Sequence, residues 1–294
     1  MAIADAPAGA STTPTVQSFD ETAEAFLALV LAHGSKKVFI NPGTDTFPIQ
    51  EAWARRLEAG LPVPDPVQCL HEHVAVAAAH GYYQATGDPQ TVIVHVDAGT
   101  INAGGSLHNA QRSDAGIVFC SGRAPYTWEG ELRGGKSSVI HWYQEQLDQA
   151  AIVRNFVKWH YELTRSENVA GVIERAFQMA RHQPAGPVYL TLPREVLMLP
   201  AQNVRMPDAR HSGPASLPAP DSDAITRAGQ ILAKAERPLI VAARSGNDPT
   251  TVPGLVKLAE LLGARVWDSR DAMNFPASHP LNVAGTFEAE LPRA

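Results

Sequence analysis

Glu72 raises the first chemical question in this chain. It stands between His71 and His73 in the run "CLHEHVAVAAAHGYYQATGD", Cys69 to Asp88. Small apolar residues dominate the run, so it reads as a buried helix. The bland account of Glu72 is a solvated carboxylate at a helix start, where the helix dipole favours it. Zinc is another account, because "HEHVA" begins like H-E-x-x-H. The fifth position is Ala75, however, and His71 and His73 would point about 200° apart on a helix. No metal ligands are assigned.

Two other segments carry candidate chemistry. "GTINAGGS" (Gly99 to Ser106) has the glycine spacing of a phosphate loop, but Gly105 stands where lysine is required. Its bland account is a tight strand-to-helix turn with close helix packing. His95, in "VHVDAGT", is either a strand-end histidine bonded to backbone or a proton relay. "NPGT" (Asn41 to Thr44) and "DAGTIN" (Asp97 to Asn102) both follow strand-like runs, and Glu72 follows "PVQCL". All three therefore fall at strand C-terminal ends, where ligands bind in open α/β sheets.

The elements that would position these residues alternate. "KVFI", "PVQCL", "TVIVHV", "GIVFCS" and "PVYLTLP" read as buried strands. Helical patterns separate them, at Ala23 to Leu31, Pro48 to Ala59, the run after Glu72, the run up to Arg112, and Ser166 to Gly186. Unbroken apolar strands alternating with helices imply a parallel sheet covered on both faces, an α/β fold. Ser18 and Glu21 have the spacing of a capping box for the first helix. "DAGT" reads as the turn before the fourth helical run.

The expected organisation is a flexible tail over 1–17, an α/β domain over 18–205 and a Pro-rich linker over 206–220. The start of a second α/β, Rossmann-like domain then occupies 221–294. Met1 to Val16 has neither the basic start nor the apolar core of a leader. The 294 residues are 45% hydrophobic with a net charge of −6, enough for substantial cores. There is no basic patch for nucleic acid and no apolar run near the ~20 residues of a membrane span. Cys69 and Cys120 read as free thiols in buried strands, which suits a reducing cytoplasm.

Four segments, in order, resemble the thiamine-diphosphate enzymes of the acetolactate-synthase, benzoylformate-decarboxylase and pyruvate-oxidase branch. They are "FINPGTDTFPIQEA", "HEHVAVAAAHGYYQATG", "VIVHVDAGTINAGGSLHNAQRSDAGIVFCSGR" and "GPVYLTLPREV". The resemblance implies a pyrimidine-binding domain followed by the start of the central domain. It implies that Glu72 hydrogen-bonds a ring nitrogen of the cofactor's aminopyrimidine and moves a proton there. Pro42, Gly43, Gly99 and Asn102 join Glu72 as implied cofactor-binding positions. Thr44, His95 and Gln144 fall at implied substrate-pocket positions, with His95 catalytic beside Glu72. "DAG" replaces the commoner "GPG", which leaves the substrate open.

The resemblance implies an enzyme that decarboxylates a 2-oxo acid and protonates or transfers the acyl group. The family binds the diphosphate and Mg²⁺ through a "GDG" motif, which this sequence lacks. A partner chain, a fuller form of the protein or a homo-oligomer is then expected to complete the site. FAD is compatible with the resemblance but supported by no residue. Two rival accounts remain, a non-catalytic truncated or regulatory relative and a nucleotide-binding protein using Gly99 to Ser106.

Overall fold

The apolar runs form one parallel sheet in a computed structural model that describes residues 15–207, 218–269 and 272–283. The chain divides into two units, Met1–Ala215 and Ser216–Ala294. The first unit begins with β1 (Val16–Phe19), α1 (Thr22–Ala32), β2 (Lys37–Ile40), α2 (Phe47–Glu58), β3 (Asp65–Gln68) and α3 (Glu72–Thr86). There follow β4 (Gln90–Val94), α4 (Val96–Asn102), α5 (Gly104–Arg112), β5 (Ile117–Arg123) and α6 (Ile140–Tyr143). It ends with β6 (Trp159–Glu162), α7 (Val169–Arg181), β7 (Pro187–Pro193), α8 (Arg194–Leu197) and β8 (Ala201–Arg205).

Six strands pair in parallel in the order β3-β2-β4-β5-β7-β6. Alternate residues enter opposite cores, as the pleat requires. Val38, Ile40, Ile93, Val118 and Leu190 pack with α1, α2 and α7. Phe39, Val92, Val94, Phe119 and Tyr189 pack with α3 and α5. This is the α/β sheet with helices on both faces that the apolar strands imply. α3 starts at Glu72, and Gly87 ends it in the left-handed conformation at φ 75°, where glycine carries no Cβ penalty.

Four local expectations are corrected. Ser18 and Glu21 do not form a capping box: Ser18 lies in β1, and no side chain caps α1. Glu21 instead pairs with Arg55 at 2.5 Å and Arg133 at 3.1 Å, which a long-range contact makes the better partner. The expected tail ends too late, because Val16 and Gln17 pair with β8 in an antiparallel ribbon. "DAGT" is not a turn, since α4 starts at Val96 directly after β4. Cys69 lies one residue past β3, buried against the α3 core rather than within the strand.

β6 was not expected from the sequence. Trp159–Glu162 has no apolar run, and its partner β7 supplies the pairing on one edge only. Residues 1–14 of the expected tail and 208–217 of the expected linker lie outside the described residues.

The second unit contains α9 (Ser222–Leu232), β9 (Leu239–Ala242), α10 (Val252–Leu262) and β10 (Arg265–Asp268). β9 and β10 pair in parallel, over a small core of Ala242, Ala259, Val266 and Phe275. These are the helix, strand, helix and strand expected after the linker.

Candidate functional site

The site follows from the order of the strands. β2 leads through α2 to β3 on one side of the sheet, while β4 leads through α4 and α5 to β5 on the other. The segments leaving β2 and β4 diverge, and their C-terminal ends border a crevice of the kind where open α/β sheets take ligands. Asn41 donates through Nδ2 to Cys69 O at 2.9 Å, tying the exit of β2 to that of β3. Thr46 closes the "NPGTDT" turn, donating through Oγ1 to Gly43 O at 2.9 Å.

Asp45 and His95 meet across this crevice. Asp45 Oδ1 is 2.5 Å from His95 Nδ1, and Oδ2 accepts from the Val96 N–H at 3.0 Å. The approach leaves no room for side chains on two neighbours. A Cβ on Gly43 would lie 2.0 Å from His95 Nδ1, and one on Gly122 would lie 1.8 Å from Asp45 Oδ2. Val96 holds a φ of 31°. For a β-branched residue that is a strained outlier, of the kind that clusters at functional sites.

The other ring nitrogen of His95 is 3.2 Å from Gln144 Nε2. Gln144 arrives on the long segment between β5 and β6. Glu195 anchors that segment by accepting from the Tyr126 and Thr127 N–H groups at 2.8 and 3.1 Å. Arg194 donates to Gly134 O and Gly135 O, and buried Lys136 pairs with Glu145 at 2.6 Å. Gln146 adds a second tie, donating to Asp97 Oδ2 at 2.8 Å. Thr44, Arg123, His141 and Arg194 line the same narrow recess as His95 and Gln144. The hydrogen bond to Asp45 holds the His95 imidazolium above the usual histidine range, against the opposing effect of burial.

Glu72 forms a second cluster at the same edge. It is buried at the first turn of α3, with Asn102 Nδ2 donating to its Oε2 at 3.2 Å. Among the described residues its Oε1 accepts no hydrogen bond. Gly99 packs against that oxygen, where a Cβ would lie 3.2 Å away. His71 Nδ1 accepts from the His73 N–H at 3.1 Å and caps α3. Among the described residues no three His, Cys, Asp or Glu side chains cluster as a metal site. Gly99 to Ser106 is helical, spanning α4 and the start of α5, so it forms no phosphate loop.

The structure thus joins Glu72, Gly99 and Asn102 in one cluster, and Thr44, His95 and Gln144 in one recess with Gly43 beneath. Pro42 sits exposed in the turn after β2. Sequence reasoning missed Asp45, Gly122, Arg123 and Arg194. Asp45 carried a signal, being an acid two residues after Gly43 in a strand-end turn. Gly122 carried none, because its role depends on β2, which lies two places away in the sheet.

Known proteins share this fold. Residues 20–152 match the family described as "Thiamine pyrophosphate enzyme, N-terminal TPP binding domain". The chain is similar to thiamine-diphosphate-dependent enzymes over their N-terminal TPP-binding domain. It is 28% identical to benzoylformate decarboxylase of Pseudomonas aeruginosa over 265 residues, 89% of this chain and 46% of that protein. It is 30% identical to sulfoacetaldehyde acetyltransferase of Rhodobacter capsulatus, over 88% of this chain and 41% of that one. A solved structure, the thiamine diphosphate-dependent 4-hydroxybenzoylformate decarboxylase of Rhodococcus jostii RHA1, superimposes with a TM-score of 0.69. It is 25% identical and covers 89% of this chain and 47% of its own. The chain spans about half the length of the curated relatives it matches.

Proposed function

We propose that this chain supplies the pyrimidine-activating half of a thiamine-diphosphate site in an enzyme that decarboxylates a 2-oxo acid. The acyl group left behind is then protonated or passed to an acceptor. The observation that carries the reading is Glu72. A buried carboxyl with one oxygen held by Asn102 and the other unbonded suits an aminopyrimidine ring nitrogen. Gly99 lets its backbone pack close against that carboxylate, since a Cβ there would lie 3.2 Å from Oε1.

The cofactor, when bound, supplies the carbanion that adds to the substrate carbonyl. Glu72 holds and returns a proton at the ring nitrogen, through Oε1. Asn102 fixes the rotamer of Glu72, so the proton stays aimed. His95, in the recess with Thr44 and Gln144, moves protons to and from the substrate. Pro42 and Gly43 shape the wall between the two clusters. The diphosphate and Mg²⁺ need hard oxygen ligands and backbone amides, and these fall to a partner chain or a longer form of this protein.

A second copy or partner chain covering this edge is part of the proposal. Leu70 and Val74, each two residues from Glu72, and Ile101, beside Asn102 in the chain, are 93%, 52% and 58% exposed. Exposed apolar side chains beside the site residues suit a contact surface. A reducing, cytoplasmic setting is also part of the reading, supported by two buried free cysteines. No helix among the described residues is long and apolar enough to cross a membrane.

The test is Glu72→Gln, assayed with the diphosphate-binding half present. The substitution is isosteric, so folding persists while turnover falls by at least about a hundredfold. Near-normal turnover would sink the role. A non-catalytic relative is the second reading. Calorimetry with thiamine diphosphate and Mg²⁺, with and without a chain carrying that motif, separates the two. Under the first reading, tight binding requires both chains.

A further inference from the structure

We propose that Asp45 is a positioning residue: its carboxylate holds His95 with Nδ1 protonated and leaves Nε2 as the proton-exchanging atom in the recess. An ionised carboxylate only accepts hydrogen bonds. At 2.5 Å, the shared proton therefore belongs to Nδ1. A neutral imidazole so bonded presents a lone pair at Nε2, and Gln144 Nε2 stands 3.2 Å from it as the matching donor.

Several independent features serve to seat this one carboxylate. Its side chain is 4% exposed, against 27% for His95. Oδ2 takes the Val96 N–H, and that bond accompanies the left-handed φ of Val96. Such strain costs on the order of 1–3 kcal/mol and persists only where the surroundings over-determine it. Gly43 and Gly122 supply the space, each at a position where a Cβ would strike Asp45, His95 or both. A histidine that were merely structural would not need two cut-away neighbours and a strained valine to set its tautomer.

The charges facing His95 come from every side of the crevice. Asp45 lies on the β2 exit, Asp97 on α4 and Glu72 on α3, and all three favour the imidazolium. Arg123 on β5, Arg194 on α8 and His141 on α6 also line the recess. Burial and the Arg194 charge push the His141 imidazole down, so His141 is the weaker proton acceptor of the two. The Asp45 contact decides the balance at His95, because its hydrogen bond is the largest influence.

Only the turnover part of this inference rests on the function proposed above. The first experiment does not need it. The full chain is labelled with ¹⁵N-histidine, and long-range ¹H–¹⁵N correlation reads the protonation of both ring nitrogens. His95→Gln identifies the resonance among the 11 histidines. The expected result is an Nδ1–H neutral tautomer in the wild type, and a lower His95 pKa with a mixed tautomer in Asp45→Asn. An Nε2–H tautomer in the wild type overturns the inference, and that reading stands even if Asp45→Asn fails to fold. An unchanged His95 titration in a folded Asp45→Asn overturns it too.

The second experiment uses the enzyme assembled with a diphosphate-binding half. Asp45→Asn should lower kcat at least about tenfold with little change in KM. The limb of the pH profile that reports His95 should move to lower pH. An unaltered kcat and profile refutes the inference. Absence of any thiamine-diphosphate-dependent turnover in the wild type instead refutes the functional reading, while the tautomer measurement still decides Asp45.

Discussion

Gly122→Ala tests the geometry beneath the site without touching an ionisable group. The added Cβ would lie 1.8 Å from Asp45 Oδ2, 2.5 Å from its Cγ and 2.6 Å from its Cβ. Contacts that short force the whole Asp45 side chain to move. Overpacking of this kind costs about 1–3 kcal/mol. Displacing the carboxylate also strands the buried Val96 N–H, worth a further ~1–3 kcal/mol. The expected loss is therefore about 2–6 kcal/mol, large against a domain stability of about 5–15 kcal/mol. With a urea m-value of ~2–3 kcal/mol/M, the midpoint of the first unit falls by about 1–3 M. Far-UV circular dichroism follows the transition, and hydrogen exchange of the β4 amides assigns it to the first unit. Gly81→Ala is the control, because nothing lies within 4 Å of its added Cβ and it sits in α3. That change should stabilise by about 0.5–1 kcal/mol through helix propensity. A Gly122→Ala midpoint equal to wild type would refute the reasoning.

His33 gives a pH prediction in the other core. Burial is the main cause that lowers its pKa from 6.5 to about 4, with the Arg181 charge adding to it. The unfolded chain then binds the extra proton first, so stability is full above pH 6.5 and falls by about 3 kcal/mol down to pH 4. His33→Gln should flatten the unfolding free energy across that window, measured by urea titration at half-unit steps; an unchanged slope contradicts it. The thiols give another. Burial pushes Cys120 well up and Cys69 up, so neither should react with a thiol reagent until the chain unfolds. A fast-reacting thiol in the native protein counts against this packing. Glu72→Gln and Asp45→Asn should both leave the far-UV spectrum and the Gly122-dependent transition intact apart from local loss near the crevice, which separates catalytic from structural effects.

The sequence determined the parallel sheet because its inner strands are apolar on both faces. "KVFI" and "PVYLTLP" are β2 and β7 to the residue. Glu72 was legible for a similar reason: a carboxylate heading a run of alanines contradicts its neighbours, and a contradiction in a local pattern is visible locally. "WHYE" was not legible as β6, because an edge strand needs only one apolar face and owes its pairing to β7. The Ser18 and Glu21 spacing pointed to a cap that did not form, because β8 and Arg55, each far along the chain, were the stronger partners. Asp45 and His95 are 50 residues apart, and Gly122 is further still. No spacing rule links them. They meet because β2 and β4 lie side by side with their connections diverging, and because two glycines and one strained valine let the chains close to 2.5 Å. Which side chains carry the chemistry is a matter of residue type, readable in one dimension. Which atom of His95 carries the proton depends on a carboxylate brought across the sheet, and only the tertiary structure brings it there.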